Sequence, residues 1–264
     1  MNIIKTENLS IAYGDFEIVK DLNLYIPKGK ITTIIGSNGC GKSTILKTIA
    51  RILQPKRGAI YINGSNIQGL SSKSIAKQMA VLPQSPQAPN GLTVGELVSY
   101  GRFPHQSGFG KLMKEDKEKI DWALKIIGME QFKHRPIESL SGGQRQRVWI
   151  AMALAQDTEI LLLDEPTTYL DLAHQLEILQ LLEHLNKKQG RTIVMVIHEL
   201  NTAARFADYM VGIKDGNIVC QGSPKEIMTK ENLKRIFNIE AVVVNEPLNN
   251  KPVCITYNLL KDAL

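Results

Sequence analysis

The sequence predicts an α/β fold with a core of buried strands and helices, an antiparallel β edge, a helical insertion and a short C-terminal extension. Two patterns carry this. Residues 31–35, 160–163 and 191–197 hold compact apolar runs that end on a glycine, a carboxylate pair or a histidine, as expected of strands buried on both faces. Residues 1–35 and 57–64 read instead as short alternating strands punctuated by turn residues. A third observation, a glycine-rich loop between residues 31–35 and the helix-like residues 45–50, sets the type of core.

Taken in order, the strands of the β edge turn at Gly14-Asp15, at Pro27-Lys28-Gly29 and at Asn63-Gly64, the last a pair favoured in tight hairpins. From Gly91 the texture becomes helical. Thr93 and Glu96 form a TxxE capping box, and helix-compatible segments follow to Gly101, over 114–128 and from Ser141, so residues 91–155 read as a helical subdomain. Leu172, Leu176, Leu179, Leu182 and Leu185 form a core-packing stripe ahead of a stop at Gly190. Asp215-Gly216 marks another hairpin, and Ser223-Pro224 opens a helix reaching Phe237. Residues 242–245 and 253–257 form a last hairpin without catalytic residue types. The expected boundaries are 1–222 for the main domain and 223–264 for the extension.

The loop is Gly36, Ser37, Asn38, Gly39, Cys40, Gly41, Lys42, Ser43 and Thr44, a complete GxxxxGK[ST] pattern in strand-loop-helix context. Its glycines let the backbone N–H groups point at an anion lying on the following helix start. Lys42 is suited to the β and γ phosphates, and Ser43 to Mg²⁺, which prefers hard oxygen ligands. The core is therefore expected to be that of a P-loop NTPase binding a nucleoside triphosphate and Mg²⁺.

A second glycine-rich helix start stands at Leu140, Ser141, Gly142, Gly143 and Gln144. Taken alone, Ser141 and Gln144 have the spacing of a capping box, which needs no ligand. Together with the phosphate loop, this stretch resembles the signature motif of the ATP-binding-cassette family. The resemblance implies that the nucleotide is ATP and that the motif closes on ATP held by a second copy of the chain, so that a homodimer completes both sites.

Other residues have a chemical reading of their own and a place in the family order. Asp164 and Glu165 end the run at 160–163, where Asp164 is a candidate Mg²⁺ partner and Glu165 can polarise the water that attacks the γ phosphate. A solvated helix entry before Pro166 is the bland alternative. Gln84, after strand-like residues 79–83, can be surface polar or a weak Mg²⁺ ligand; the resemblance makes it the Q-loop glutamine. His198 can be a satisfied structural histidine or a γ-phosphate donor, and the resemblance makes it the switch histidine. Thr168, Tyr169, Leu170 and Asp171 resemble the D-loop. Asp171 is expected at the dimer seam, and it can equally cap the helix at Leu172. Tyr13 stands where the family stacks an aromatic on adenine, although strand packing also suits it.

Composition narrows the setting. No apolar stretch approaches the roughly 20 residues needed to span a bilayer, and no signal-peptide pattern opens the chain, so a cytoplasmic location is expected. Cys40, Cys220 and Cys254 are odd in number and lack metal spacing, which argues for reduced thiols. The formal net charge of +6 selects no partner alone. Residues 111–119 alternate Lys with Glu and Asp and read as a solvated helix face. With 6% aromatic residues and no basic-aromatic interleaving, nucleic acid is not an expected partner.

Within the family, the whole chain is similar to the ATPase subunits of bacterial importers for ferric siderophores, haem and cobalamin, with most likeness to the ferric-hydroxamate type. The segments that carry this are Leu82-Pro83-Gln84, Gly101-Arg102-Phe103-Pro104-His105, residues 169–175 and residues 198–203. Two residues depart from the usual pattern: Glu199 where aspartate is common after the switch histidine, and Ser37 where proline is common. A helix stop and rigid turn would explain Gly101 and Pro104 but leave Arg102, Phe103 and His105 unexplained. The resemblance places those three at the docking surface for a permease. It also implies peripheral attachment to the inner face of the membrane and, indirectly, an extracytoplasmic substrate-binding protein. Haem or cobalamin import, and a soluble iron-sulfur assembly ATPase, are the alternative functions.

Overall fold

A computed structural model describes residues 1–106, 111–168, 170–247 and 249–260. The chain forms two compact units, residues 1–69 with those from 186 onward, and residues 70–185. Tyr169 lies outside the described residues.

In the first unit, strand Asn2–Tyr13 pairs antiparallel with Phe16–Leu22, Tyr25–Pro27 and Arg57–Ile62. This is the expected β edge. Its Asn63-Gly64 turn has φ of 49° and 79°, the left-handed pair that this dipeptide tolerates. A further set of strands runs in the spatial order Asn217–Gly222, Tyr209–Lys214, Ile31–Gly36, Thr192–Val196. The first two are antiparallel, and Ile31–Gly36 is parallel to both Tyr209–Lys214 and Thr192–Val196. Ile34, Ile193, Val194, Met195 and Val196 are all fully buried, which is why the runs are apolar without alternation. Because Ile31–Gly36 and Thr192–Val196 are parallel neighbours, the phosphate loop and the turn bearing His198 leave the same sheet edge.

The single helix expected from Ser223 to Phe237 is two, Pro224–Ile227 and Lys230–Phe237. Thr229 breaks it by capping a fresh helix, its hydroxyl accepting from Asn232 N at 3.2 Å. The chain ends in the antiparallel hairpin Ile239–Asn245 and Pro252–Leu259.

In the second unit, strands Met79–Leu82 and Ile160–Asp164 pair in parallel. Helices Val94–Ser99, Lys114–Ile126 and Gly142–Ala155 pack on one another, the first opened by the Thr93/Glu96 capping box. Gly101 does not stop its helix. The chain continues as a 3-10 turn, Tyr100–His105, with Pro104 inside it. Gly101 is there for close packing, since a Cβ would lie 2.2 Å from Met152 O. The leucine stripe is core from Leu179 through Leu182 to Leu185, but Leu172 is 72% exposed in the first turn of helix Leu172–Gln189. Among the described residues, no helix is long and apolar enough to cross a membrane.

Candidate active site

The phosphate loop leaves strand Ile31–Gly36 and runs into helix Lys42–Ile49. Gly36, Gly39 and Gly41 have φ of 154°, 78° and 101°, which other residues rarely adopt. At Gly36 a Cβ would also lie 2.2 Å from Ile213 O. Gly41 caps the helix in the left-handed conformation and, having no side chain, offers no hydrogen bond of its own to the first helical N–H groups. Lys42 is buried, its Nζ donating to Gly36 O and Ser37 O at 2.9 Å each. Both acceptors are neutral, so the ammonium keeps its attraction for a polyanion. Ser37, Asn38 and Gly39 are exposed, while Ser43 and Thr44 are half-buried.

Cys40 is buried inside the loop. Burial pushes its thiol up, with Lys42 opposing, and keeps it protonated. Its carbonyl accepts from Gly216 N at 3.1 Å, so the Asp215-Gly216 turn braces the loop. The hairpin was legible in the sequence, but its bracing role was not. Tyr13 ends its strand 49% exposed and faces Phe16, 74% exposed, across the turn. The sequence points to Tyr13 alone, and the strand register adds Phe16 as its exposed aromatic neighbour. His198 is exposed, and Glu199 caps the next helix by accepting from Asn201 N at 2.9 Å and from Thr202 N.

In the second unit, Asp164 ends strand Ile160–Asp164 and is 2% exposed. Glu165 follows at φ 53°, a left-handed conformation that costs a glutamate about 1–3 kcal/mol. One Glu165 oxygen accepts from Gln84 Nε2 at 2.7 Å and the other from Thr168 Oγ1 at 3.1 Å. Gln84 and Glu165 are therefore brought together. The sequence gives Thr168 a place in the D-loop stretch, and the structure adds its hydroxyl as a donor to Glu165. The hydroxyl of Ser43, the carboxylate of Asp164 and the amide oxygen of Gln84 are hard donors of the kind Mg²⁺ takes. Mg²⁺ uses few protein ligands, and among the described residues no group of three or more His, Cys, Asp or Glu surrounds a cation position.

Helix Gly142–Ala155 starts differently from Lys42–Ile49. Ser141 Oγ accepts from Gln144 N at 3.2 Å, and Gln144 Oε1 accepts from Ser141 N at 3.0 Å, closing the capping box. Gly143 lets the D-loop approach, since a Cβ there would meet Leu170 Cδ2 at 3.1 Å. Asp171 caps the next helix, accepting from His174 N at 2.9 Å and meeting His174 Nδ1 at 2.7 Å. Ser141, Gly143, Gln144, Asp171 and His174 share one open cavity of about 330 Å³.

Arg102 is not on a docking surface. It is 3% exposed, donates from Nε to Asp116 Oδ1 at 2.9 Å and from Nη1 to Ala155 O at 2.8 Å, and so locks the far end of the signature helix. Asp116 likewise departs from the expected solvated face of residues 111–119: burial pushes its carboxyl up, but the Met113 amide, Arg102 and His105 hold it below its usual value. His105 Nε2 bonds Gln156 O at 2.8 Å and is also committed inward. Phe103 stays 53% exposed, stacked on Tyr100 at 4.8 Å.

Comparison with known proteins gives the family. The chain is 65% identical to the iron(3+)-hydroxamate import ATP-binding protein FhuC of Bacillus subtilis, over 99% of this chain and 97% of that one. A solved structure of a putative metal-chelate type ABC transporter, inward-facing, superposes with a TM-score of 0.83 at 30% identity and covers 100% of both chains. A dimeric bacterial ABC transporter cassette gives a TM-score of 0.75 at 32% identity, over 83% of this chain and 98% of that one. Residues 19–168, which include the phosphate loop, the signature helix and the Asp164-Glu165 pair, match the ABC transporter family, and the chain belongs to it.

Proposed function

We propose that this protein is the ATP-hydrolysing subunit of an importer for ferric hydroxamate siderophores, working as a homodimer beneath a separate membrane permease that receives its cargo from an external binding protein. The observation that carries the ATPase reading is the helix start at Gly41, a glycine with no side chain to cap it, beside a buried Lys42 whose ammonium donates to two backbone carbonyls and lies against the neutral Cys40 thiol. The cargo rests on the likeness to FhuC, because the ATPase never touches it.

In this reading Tyr13 stacks on adenine, and residues 36–44 hold the phosphates, Lys42 Nζ compensating their charge. Ser43, Asp164 and Gln84 would hold Mg²⁺, which when bound neutralises charge on the phosphate oxygens. Glu165 accepts the proton of the attacking water at a carboxylate oxygen; its bond to Gln84 keeps that oxygen oriented until the nucleotide site is complete. His198 donates to the γ phosphate. Ser141, Gly142, Gly143 and Gln144 serve the nucleotide of the second copy, and Asp171 lies at the seam between copies. Phe103 is the residue of its segment left to anchor a permease helix. Residues 1–222 form the cassette and residues 223–264 extend it.

The test is reconstitution. The protein should copurify with polytopic permease subunits, and a deletion strain should lose growth on ferric hydroxamates as the sole iron source. Growth unchanged on hydroxamates but lost on haem would move the cargo; no association with any membrane protein would point to a soluble assembly ATPase.

A further inference from the structure

The C-terminal hairpin Ile239–Asn245 and Pro252–Leu259 contributes no residue to the reaction, yet it grips helix Leu200–Phe206 at both ends. At the start of that helix, Asn201 Nδ2 donates to Cys254 O at 3.0 Å, and Cys254 N donates to Asn201 Oδ1 at 2.8 Å. One side-chain amide thus makes both bonds that a neighbouring strand would make with Cys254. At the far end, Lys251 Nζ donates to Arg205 O and, at 3.2 Å, to Ala207 O, placing a cation on the negative end of the helix.

His198 lies three residues before Asn201. The link between them is short and stiff, because Glu199 accepts from Asn201 N and Thr202 N and so joins the histidine's turn to the first helical turn. A helix of seven residues is too short to hold itself. Its position is set by what it packs against: Ala203 and Ala204 are fully buried, Thr33 Oγ1 donates to Ala203 O at 3.3 Å, and the hairpin holds both ends.

We propose that Asn201, tethered to Cys254, is a positioning residue for His198, and that the C-terminal hairpin thereby sets where the switch histidine stands at the nucleotide. The proposal rests on the reading of His198 as a γ-phosphate donor. The chemistry of the tether is demanding. Aspartate keeps the acceptor for Cys254 N but loses the donor for Cys254 O and sets two oxygens face to face.

The experiment is single-turnover ATP hydrolysis by the full chain, with enzyme in excess, for wild type, Asn201→Ala, Asn201→Asp, His198→Ala and the double variant His198→Ala/Asn201→Ala. Both Asn201 variants should slow hydrolysis by about two- to thirtyfold, the range of coupling through one positioning contact, with ATP affinity unchanged. The double variant should be no slower than His198→Ala, because Asn201 acts only through that histidine. In a histidine-labelled chain, the His198 imidazole signal, assigned by its loss in His198→Ala, should move in Asn201→Asp while the other histidine signals stay in place. Wild-type rates in both Asn201 variants, a double variant whose loss is the product of the single losses, or an unmoved His198 signal would each overturn the proposal. Wild-type hydrolysis by His198→Ala would instead remove the reading of His198 on which it rests.

Discussion

Helices Lys42–Ile49 and Gly142–Ala155 both begin in glycine-rich sequence, and they treat their first N–H groups in opposite ways. The first has Gly41 as a left-handed cap with no side-chain bond; the second is closed by Ser141 and Gln144. The difference shows how one physical device, the positive end of a helix, supports two tasks. A glycine start brings no side chain of its own to those donors and suits an approaching phosphate. A start that caps itself is stable without a ligand and can be presented, preformed, to a nucleotide held elsewhere. Its other end is locked too, by Arg102 on Ala155 O, so under the proposed function the signature helix would act as a rigid probe and the phosphate loop as a receptor.

That contrast assigns binding to the helix starts and bond breaking to neither. Glu165→Gln should therefore show the largest effect, with kcat lowered about 10²–10⁴-fold and ATP binding retained. Wild-type turnover in this variant would take the base away from Glu165. Next is the rigidity of the probe. Arg102→Met strands the Asp116 carboxylate in the interior and should cost about 3–5 kcal/mol in urea unfolding at neutral pH.

The pH dependence gives that prediction a sign. Asp116 is held below its usual value in the folded protein, so its contribution is present above the unfolded carboxylate pKa of about 3.9 and is lost as pH falls through the lower folded value. The gap between wild type and Arg102→Met should consequently narrow on acidification, starting where the stranded Asp116 of the variant takes up a proton, above the ordinary carboxylate range, and continuing down to the lower folded value of wild type. A gap independent of pH would mean that packing, not the ion pair, makes Arg102 important.

Lys42→Ala tests the receptor and should weaken ATP binding about ten- to a hundredfold in direct titration, the worth of a charged hydrogen-bond donor. A mixed dimer separates receptor from probe. One chain with Lys42→Ala and its partner with Ser141→Arg should retain one bound ATP, because both defects fall in one composite site; loss of both nucleotides would mean that each signature serves its own loop. The smallest effect is the capping itself. Ser141→Ala should cost about 0.5–2 kcal/mol, and Ser141→Asn should recover that stability because it still caps. If Ser141→Asn also recovers hydrolysis, the serine is no more than a cap.

Much of the site was legible because it is local. A phosphate loop, a capping box and an Asp-Gly turn are each written within ten residues, and each forms where the sequence puts it. Arg102 was not legible, because nothing near it in sequence says that Asp116 and Ala155 will surround it. An unexplained arginine looked like a docking residue and is an internal anchor. Gly101 misled for a related reason: a glycine near a helix end reads as a stop, whereas its missing side chain serves the backbone of Met152.

By itself, then, the sequence determined the local structure: which loop curls on its glycines, which carboxylates end a buried strand and which helix start carries a side-chain cap. These follow from backbone conformations and hydrogen bonds that span a few residues. Only the tertiary structure decided which partners the polar side chains take. Gln84 reaches Glu165, Arg102 reaches Ala155 and Asn201 reaches Cys254 across 81, 53 and 53 residues of chain. Such partners are chosen by how strands and helices pack, and a buried polar group takes whatever partner the packing brings, because leaving it unpaired costs more than the bond returns.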